Sequence, residues 1–400
     1  MFIHSASMSK LRLHYYRREV LGTCCGLALA GCTQPIFSAE QHLEASYTED
    51  WPSVQFDPQN TGTVSGTVPR EIERQWLKET GGEGVSSIVV DDGVLVATGD
   101  VATQYHGVAQ YELNGGLRWK NELPGPVSAS PVGHGQVVYV PTETSGGGRL
   151  LAFRTTDGER LWTVDVQGEQ LFSPTVADET VFLRTTDRLL TVDAESGEIS
   201  RSRRLPTFEV DTLQARMDIA PAVIENTVCV PSENEVWAID RDSNERRWRV
   251  PLQKVRAGPT VAGQIAVLSS VKGGIVAVDV ESGQQRWRRS DLTSWTSPAV
   301  TETALYATDG FDLVKLDRES GEGSAKRSLQ GDIYSSPIVV GDTVIAGSID
   351  TDVAAFDTDL QTERWSVAES SIVHSSHAVA GQSILVTSRD GKLRAFQPPA

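Results

Sequence analysis

The chain has few cysteines and no long apolar run, and each shortage excludes a class of protein. Of the four cysteines among 400 residues, Cys24, Cys25 and Cys32 lie near the N-terminus and only Cys229 lies beyond them. A single remaining cysteine cannot form an intramolecular disulfide, so packing must hold the fold. The apolar run at residues 20–31 is about half of the ~20 residues that a transmembrane helix requires, so we expect no spanning anchor.

Basic residues are also scarce. The chain has 36 Lys and Arg against 53 Asp and Glu, which gives a formal net charge of −17 and a pI near 4.9. Nucleic-acid binding depends on basic side chains that neutralise phosphates, so we exclude it for the body of the protein. Only 8 of the basic residues are lysines, and an acidic chain poor in lysine resembles the proteins of extreme halophiles. The 39% apolar content is enough for a large core, so the chain folds.

The first 32 residues follow the order of an export signal, which is basic, then apolar, then small. The pair Arg17-Arg18 before a short, weakly hydrophobic stretch resembles a twin-arginine export signal. Residues 29–32 match the lipobox of lipoproteins, in which the cysteine, here Cys32, is acylated and becomes the mature N-terminus. The alternative is an ordinary cleaved signal with an incidental cysteine. We expect residues 33–50 to form a flexible tether, and the acyl chains to hold the protein on the membrane.

A repeat of about forty residues occupies the rest of the chain. Tryptophan recurs at intervals of 43, 43, 86, 39 and 78 residues, at Trp76, Trp119, Trp162, Trp248, Trp287 and Trp365. A small residue followed by proline recurs in steps of 43, 47, 38, 39 and 39 residues, with the prolines at Pro131, Pro174, Pro221, Pro259, Pro298 and Pro337. Two independent residue types with one period indicate a tandem array of similar units.

Each unit consists of four short strands. The unit that begins at Gly258 has alternating runs at residues 259–261, 265–268, 274–279 and 284–288, separated by turn residues. Four-stranded units of about 40 residues are typical of β-propeller blades. Seven units are complete, whereas the eighth, from Ser376, ends after three strands, and residues 72–78 supply the missing strand. The sequence therefore predicts an all-β, eight-bladed β-propeller of four-stranded antiparallel blades, a single domain over residues 51–400, whose last blade is closed by the N-terminal strand.

We interpret the tryptophans and aspartates that recur in the repeat as structural residues rather than as catalytic or metal-binding residues. We interpret the six tryptophans as apolar plates that dock neighbouring blades together. In Asp-x-x-Ser-Gly, as at residues 279–283, the carboxylate would accept turn N–H groups while Gly or Asn adopts the left-handed conformation. This spacing supplies too few oxygen ligands for calcium, so we expect no metal site. We interpret Cys229 as a small buried strand residue.

The pattern Ala-x-Asp-x-x-Ser-Gly-x-x-x-Trp, as at residues 277–287, resembles the repeat of pyrroloquinoline-quinone (PQQ) type β-propellers, and residues 51–62 resemble the opening segment of such propellers. The resemblance implies a fold shared by quinoprotein dehydrogenases, non-enzymatic scaffolds and sensor domains. The dehydrogenases are longer, hold the quinone beside a ring made by adjacent disulfide-linked cysteines, and use a Glu/Asn/Asp set on calcium. Here the adjacent pair Cys24-Cys25 lies in the export signal. In length and architecture the chain is similar to the BamB-like, lipid-anchored propeller of the outer-membrane β-barrel assembly machinery, which binds partners and has no cofactor.

The loops before each first strand and between each second and third strand share one face with the central funnel, where we expect binding. Candidate binding residues on this face are Tyr105, Arg216, Asp218, Arg256, Lys272, Trp295, Tyr334, His374 and Arg389. The longest connections on this face, residues 98–107 and 205–219, interrupt an otherwise regular period.

We therefore expect an exported, lipid-anchored, non-catalytic propeller, a monomer on the outer side of the cell membrane that presents a binding face to a protein or ligand. No catalytic residue and no cofactor are expected for it. One alternative is a PQQ-dependent oxidoreductase of the alcohol or sugar dehydrogenase class, with PQQ and calcium as cofactors. A further alternative is an extracytoplasmic solute-sensing module.

Overall fold

A computed structural model describes residues 9–10, 51, 53, 55–80, 85–90, 93–99, 106–127, 129–208, 219–350, 352–368, 371, 373 and 377–399. Arg17, Arg18 and Cys32 of the predicted export signal, and the predicted tether at residues 33–50, lie outside the described residues. In the described part of the chain every regular element is a β-strand, and 34 strands are present. Short apolar runs, each ended by a turn-forming Gly, Asp or Asn, produce this pattern.

Three strands precede the first blade, and they are β1 (Ser9–Lys10), β2 (Thr63–Val64) and β3 (Glu73–Glu79). Blade 1 contains β4 (Val85–Val90), β5 (Gly93–Gly99), β6 (His106–Glu112) and β7 (Leu117–Glu122). Blade 2 contains β8 (Val132–His134), β9 (Val137–Thr144), β10 (Gly147–Arg154) and β11 (Arg160–Gln167). Blade 3 contains β12 (Thr175–Ala177), β13 (Thr180–Arg184), β14 (Arg188–Asp193) and β15 (Ile199–Arg204). Blade 4 contains β16 (Ala222–Ile224), β17 (Thr227–Ser232), β18 (Glu235–Asp240) and β19 (Arg246–Pro251).

The second half of the chain repeats this arrangement. Blade 5 contains β20 (Thr260–Ala262), β21 (Ile265–Ser270), β22 (Gly274–Asp279) and β23 (Gln285–Arg289). Blade 6 contains β24 (Ala299–Val300), β25 (Ala304–Asp309), β26 (Asp312–Asp317) and β27 (Gly323–Ser328). Blade 7 contains β28 (Ile338–Val340), β29 (Thr343–Gly347), β30 (Asp352–Asp357) and β31 (Glu363–Ala368). Blade 8 contains β32 (Ala378–Ala380), β33 (Ser383–Ser388), β34 (Lys392–Gln397) and, from the other end of the chain, β3.

Blade 8 joins the two ends of the described chain. β3 pairs antiparallel with β34, with Glu73 opposite Gln397 and Glu79 opposite Lys392. Two further strands add in parallel to inner edges, β1 to β4 and β2 to β28. The eight-bladed propeller and its closure by the N-terminal strand are confirmed, and the closing strand lies one residue later than the predicted 72–78.

The hydrophobic core is divided into clusters that lie between neighbouring blades. Ala238 and Trp248 of blade 4 share one cluster with Val261 and Val278 of blade 5. The second strands β17, β21 and β33 are buried along their whole length, because both faces of a blade pack against neighbours. The outer strands β15 and β23 are largely exposed edges rich in arginine, and charge of this kind protects an edge from further strand pairing.

Residues 58–62 cross the inner edges of four successive blades. Their carbonyl oxygens accept hydrogen bonds of 2.6–2.8 Å from the backbone N–H of Val223, Val261, Val300 and Val339. The buried Asn60 has a φ of +61°, and its Nδ2 donates to the carbonyls of Pro259 at 2.8 Å and Pro221 at 3.3 Å. An inner strand edge left unpaired would carry orphaned N–H groups. The N-terminal segment therefore satisfies these groups and ties blades 4 to 7 together.

Candidate functional site

A ring of small residues surrounds the propeller axis at the repeated small-Pro positions. The backbone N–H of Ser130 donates to Ser173 Oγ at 2.9 Å, and that of Ser297 donates to Ser336 Oγ at 3.2 Å. Ser297 Oγ also donates to the carbonyl of Gly258 at 3.0 Å. The serines are buried, since eight blades converge here and leave no room for long side chains. The second sequence marker is therefore the hydrogen-bonded inner ring of the propeller.

The two sides of this ring differ. Arg256, Trp295 and Tyr334 stand three residues before their prolines, whereas the valines bound by residues 58–62 stand two residues after them. Since the inner strands run along the axis, the contacts of the N-terminal segment lie towards one side of the ring, and the predicted face lies on the other. A bridge between Val255, before a first strand, and Ser270, at the end of a second strand, brings those two loops together.

Two aromatic residues and a lysine form a cluster at the funnel mouth. The rings of Trp295 and Tyr334 lie 5.8 Å apart at an interplanar angle of 74°. Lys254 Nζ lies 5.5 Å from the ring centroid of Trp295, a cation–π contact. All three side chains are half-buried. Burial, together with the charge of Asp332, raises the pKa of Tyr334. We name Lys254, Trp295 and Tyr334 the mouth cluster.

The other predicted face residues do not join the mouth cluster. The side chain of Arg256 is only 10% exposed, and its Nη2 forms an ion pair with Glu233 Oε1 at 3.2 Å. Lys272 is exposed and lines a separate cavity of about 600 Å³ between blades 4 and 5, together with Arg288. Arg389 is half-buried in the turn between β33 and β34. The candidates Tyr105, Arg216, Asp218 and His374 lie outside the described residues.

The six tryptophans lie between blades, at positions that we call the seams. Each indole Nε1 donates to a backbone carbonyl of the next blade or, for Trp365, of the segment that leads into β3. The distances are 2.6–3.1 Å, and the pairs are Trp76–Leu113, Trp119–Thr155, Trp162–Ala194, Trp248–Val280, Trp287–Arg318 and Trp365–Pro69. Five of the six indoles also cover a turn glycine of the next blade, and these glycines are Gly115, Gly158, Gly197, Gly283 and Gly321. A Cβ built on Gly283 would lie 2.6 Å from Trp248 Cγ. The repeated glycine is therefore required by the indole as well as by its positive φ of 70°.

Two seams lack the tryptophan and have another donor. Arg201 and Ala325 occupy the tryptophan register on β15 and β27. In blade 6 the hydroxyl of Tyr306 donates to the carbonyl of Thr358 at 2.7 Å, and in blade 3 Arg201 Nη1 donates to the carbonyl of Arg241. At these seams the left-handed turn residue is Asn244 in blade 4 and Leu360 in blade 7 instead of glycine. The doubled tryptophan intervals of 86 and 78 residues were the sequence signal of these two seams, whose donors the sequence analysis missed.

The start of the insertion at residues 205–219 is held by a buried arginine that the sequence analysis also missed. The Arg184 guanidinium lies 5.8 Å from the ring centroids of both Phe172 and Phe208. Its Nη2 donates to the carbonyl of Pro206 at 2.7 Å. Burial lowers the pKa of Arg184 to about 9, while the charges of Asp187 and Glu169 oppose this. Arg184 is therefore an anchor for this insertion.

The aspartates of the repeat are turn residues. Asp279 Oδ1 accepts hydrogen bonds from the backbone N–H of Ser282 at 2.9 Å and from its hydroxyl at 2.8 Å. Hydrogen bonds from Arg286 and Ser282 lower the pKa of Asp279 to about 2. Cys229 is fully buried, and burial raises its pKa to about 12. The interpretation of both as structural residues is confirmed.

Among the described residues, no group of three or more His, Cys, Asp and Glu side chains is arranged to hold a metal ion. Within the same residues, no helix is long and apolar enough to cross a lipid bilayer.

Comparison with known proteins gives a consistent family. A family model described as outer membrane protein assembly factor BamB matches residues 54–289 and 271–399. BamB of Yersinia pestis is 27% identical over 297 residues, covering 68% of this chain and 71% of that protein. BamB of Burkholderia pseudomallei is 22% identical over 360 residues, covering 82% of this chain and 88% of that protein.

Solved structures share the architecture. The crystal structure of BamB from Moraxella catarrhalis superposes with a TM-score of 0.67 at 16% identity, covering 82% of this chain and 98% of that one. A quinohemoprotein alcohol dehydrogenase from Pseudomonas putida superposes with a TM-score of 0.70 at 12% identity, covering 88% of this chain and 81% of that one. At such identities the likeness establishes the fold alone.

Proposed function

Because this chain belongs to the family of the outer membrane protein assembly factor BamB, we propose that it is an exported, lipid-anchored, non-catalytic propeller that holds a protein partner at the membrane surface. The observation that carries the proposal is the family match over residues 54–289 and 271–399, which includes the strand that closes the ring. The name of the relatives points to a component of the outer-membrane protein assembly machinery as the partner.

The mechanism would be preorganisation of the funnel mouth. Residues 58–62 tie blades 4 to 7 together, and the mouth cluster stands on blades 5 to 7. A rigid support reduces the ordering entropy that docking costs. Trp295 and Tyr334 offer the half-buried aromatic surface typical of interface hot spots, and Lys254 adds a positive charge. A partner loop with an apolar side chain next to a carboxylate would match this cluster.

Co-purification of the mature lipoprotein from detergent-solubilised membranes tests the proposal. Components of the assembly machinery should be enriched with the wild-type protein and depleted with the double variant Trp295→Ala/Tyr334→Ala. Leu117→Ala is the matched control, because Leu117 is 57% exposed on the outer strand of blade 1. Equal depletion by the control, or no enrichment with the wild type, would contradict the proposal.

Export and anchoring are tested by separate variants. Arg17→Lys together with Arg18→Lys should block export through the twin-arginine route, and Cys32→Ser should release the protein from membranes into the soluble exported fraction. A Cys32→Ser protein that stays bound to membranes would overturn the lipid anchor.

A second candidate function is a PQQ-dependent oxidoreductase, because this chain shares its fold with a quinohemoprotein alcohol dehydrogenase. Adding PQQ with calcium to the purified protein separates this candidate from the scaffold. A visible-absorbance shift, or dye-linked oxidation of an alcohol or sugar, would favour the enzyme.

A further inference from the structure

The seam between blades 3 and 4 is polar where the other seams hold an aromatic donor. Arg201 stands in the tryptophan position, and Phe182 stands where blade 6 has Tyr306, since Thr175 pairs with Phe182 as Ala299 pairs with Tyr306. Phe182 has no hydroxyl, so a guanidinium makes the seam hydrogen bond instead. A second guanidinium, that of Arg203, donates to the carbonyl of Asn244 in the same turn.

A cavity of about 480 Å³ lies at this seam. The side chains that supply hydrogen-bonding groups to its lining are Thr180, Thr191, Ser200, Arg201, Asn226 and Arg241. Two carboxylates, Glu225 and Asp242, also line it from exposed turns, and Arg201 is exposed as well, so solvent and salt screen all three charges, whereas Arg241 is half-buried.

The two lining arginines are held in place and keep donors for a ligand. Arg241 Nη1 bonds Asp178 Oδ2 at 2.5 Å, its Nη2 donates to the carbonyl of Ala177 at 3.0 Å, and its guanidinium lies 5.4 Å from the centroid of Phe182. Within the described contacts Arg201 uses Nη1 alone. A guanidinium has five N–H donors, so Nε and Nη2 of Arg201 and Nε of Arg241 remain for a further acceptor.

We propose that the blade 3–4 seam is a binding site for an oxyanion, a carboxylate or phosphate group held by Arg201 and Arg241. Planar guanidinium groups match the geometry of carboxylate and phosphate groups. The charge-assisted hydrogen bonds between them are stronger than hydrogen bonds between neutral groups. The oxyanion belongs either to a small molecule or to an acidic side chain of a polypeptide. The turns that border the cavity lie at the strand ends opposite the funnel mouth, so this site is independent of the proposed docking face.

Isothermal titration calorimetry with two probes, at ionic strength held constant with sodium chloride, tests the proposal. The probes are inorganic phosphate and a capped peptide of three consecutive glutamates. The key variant is Arg201→Trp/Asn244→Gly, which recreates the indole-glycine seam of the neighbouring blades and fills the cavity. We expect this variant to fold. It should bind whichever probe the wild type binds at least about tenfold more weakly than the wild type does, because it loses charge-assisted hydrogen bonds. Arg201→Lys keeps the positive charge but lacks the planar, forked guanidinium, so it should also bind the probe more weakly than the wild type does. This single variant tests the proposal if the double variant does not fold.

Arg327→Ala is the matched control, because it removes the same charge from the outer strand of blade 6 and should leave binding unchanged. Binding of phosphate that depends on Arg201 supports a small-molecule site, and binding of the peptide alone supports a carboxylate from a partner chain. Absence of binding by both probes, equal binding by the cavity-filled variant, or equal loss in Arg327→Ala would overturn the proposal. None of these outcomes depends on co-purification with the assembly machinery.

Discussion

The seam between blades 4 and 5 makes a quantitative prediction for a pair of residues. Trp248 is 7% exposed, its Nε1 donates to the carbonyl of Val280 at 2.8 Å, and its ring covers Gly283. Trp248→Ala removes a buried indole and its hydrogen bond. It should lower the free energy of unfolding by about 3–5 kcal/mol, the usual cost of truncating a buried aromatic residue to alanine.

Gly283→Ala introduces two separate penalties. The left-handed φ of 70° costs an alanine about 1–2 kcal/mol. The new Cβ would lie 2.6 Å from Trp248 Cγ, and such overpacking costs about 1–3 kcal/mol. In the Trp248→Ala background the overlap is gone while the backbone strain remains. The double-mutant cycle should therefore show a coupling of about 1–3 kcal/mol, with the double variant more stable than the sum of the single changes predicts.

Guanidinium chloride unfolding of the four proteins, followed by tryptophan fluorescence and by circular dichroism, measures this coupling. The control cycle is Arg201→Ala with Asn244→Ala, at a seam that has no indole over the turn. There we expect no steric coupling. If Gly283→Ala costs the same with and without the indole, the explanation of the repeated glycine is wrong.

Three further predictions follow from the described contacts. Asn60→Gly keeps the left-handed conformation accessible but removes the amide that serves blades 4 and 5, so the free energy of unfolding should fall by about 1–3 kcal/mol in a denaturant titration, and an unchanged midpoint would contradict the role of Asn60. Because hydrogen bonds from Arg286 and Ser282 lower the pKa of Asp279 from its usual value near 4 to about 2, its ionised form stabilises the fold above pH 4, and this contribution is lost as the pH falls towards 2. Melting curves of Asp279→Asn should accordingly lose part of the acid dependence of the wild type between pH 4 and pH 2, and an identical pH dependence would refute this. Deletion of residues 51–80 opens blade 8 and unties the inner strands, so it should abolish a single cooperative melting transition, whereas an unchanged curve would count against ring closure.

The propeller could be predicted from the sequence because each blade repeats the same physical requirements. A small residue is needed at the axis, an indole or another donor at the seam, and a glycine beneath the indole. The eighth blade followed from a missing strand at one end and a surplus strand at the other. Residues 58–62 carry no such repeat. Their contacts with Val223 and Val339 are single backbone hydrogen bonds to residues more than 150 positions away, and no local pattern encodes these partners.

The candidate site was only partly predictable for a related reason. Trp295 and Tyr334 each stand three residues before the proline of their repeat unit, and this shared position predicted that they lie on one face. Their contact follows from the same position in neighbouring blades. Arg256 has the same register, but its ion pair with Glu233 depends on a neighbouring loop. Arg201 stood in a visible gap in the tryptophan series. Its role became evident only once pairing of β14 with β15 placed it in the position of the missing indole.

Site-specific photocrosslinking in intact cells tests the central claim most directly. A photoreactive residue at Trp295 lies in the funnel mouth, and one at Glu281 lies on an exposed turn at the opposite ends of the strands. If the mouth holds a partner at the membrane, irradiation should link position 295 to a component of the outer-membrane protein assembly machinery, and position 281 should give no such product. Crosslinks to that machinery from position 281 alone, or none from either position, would contradict the account.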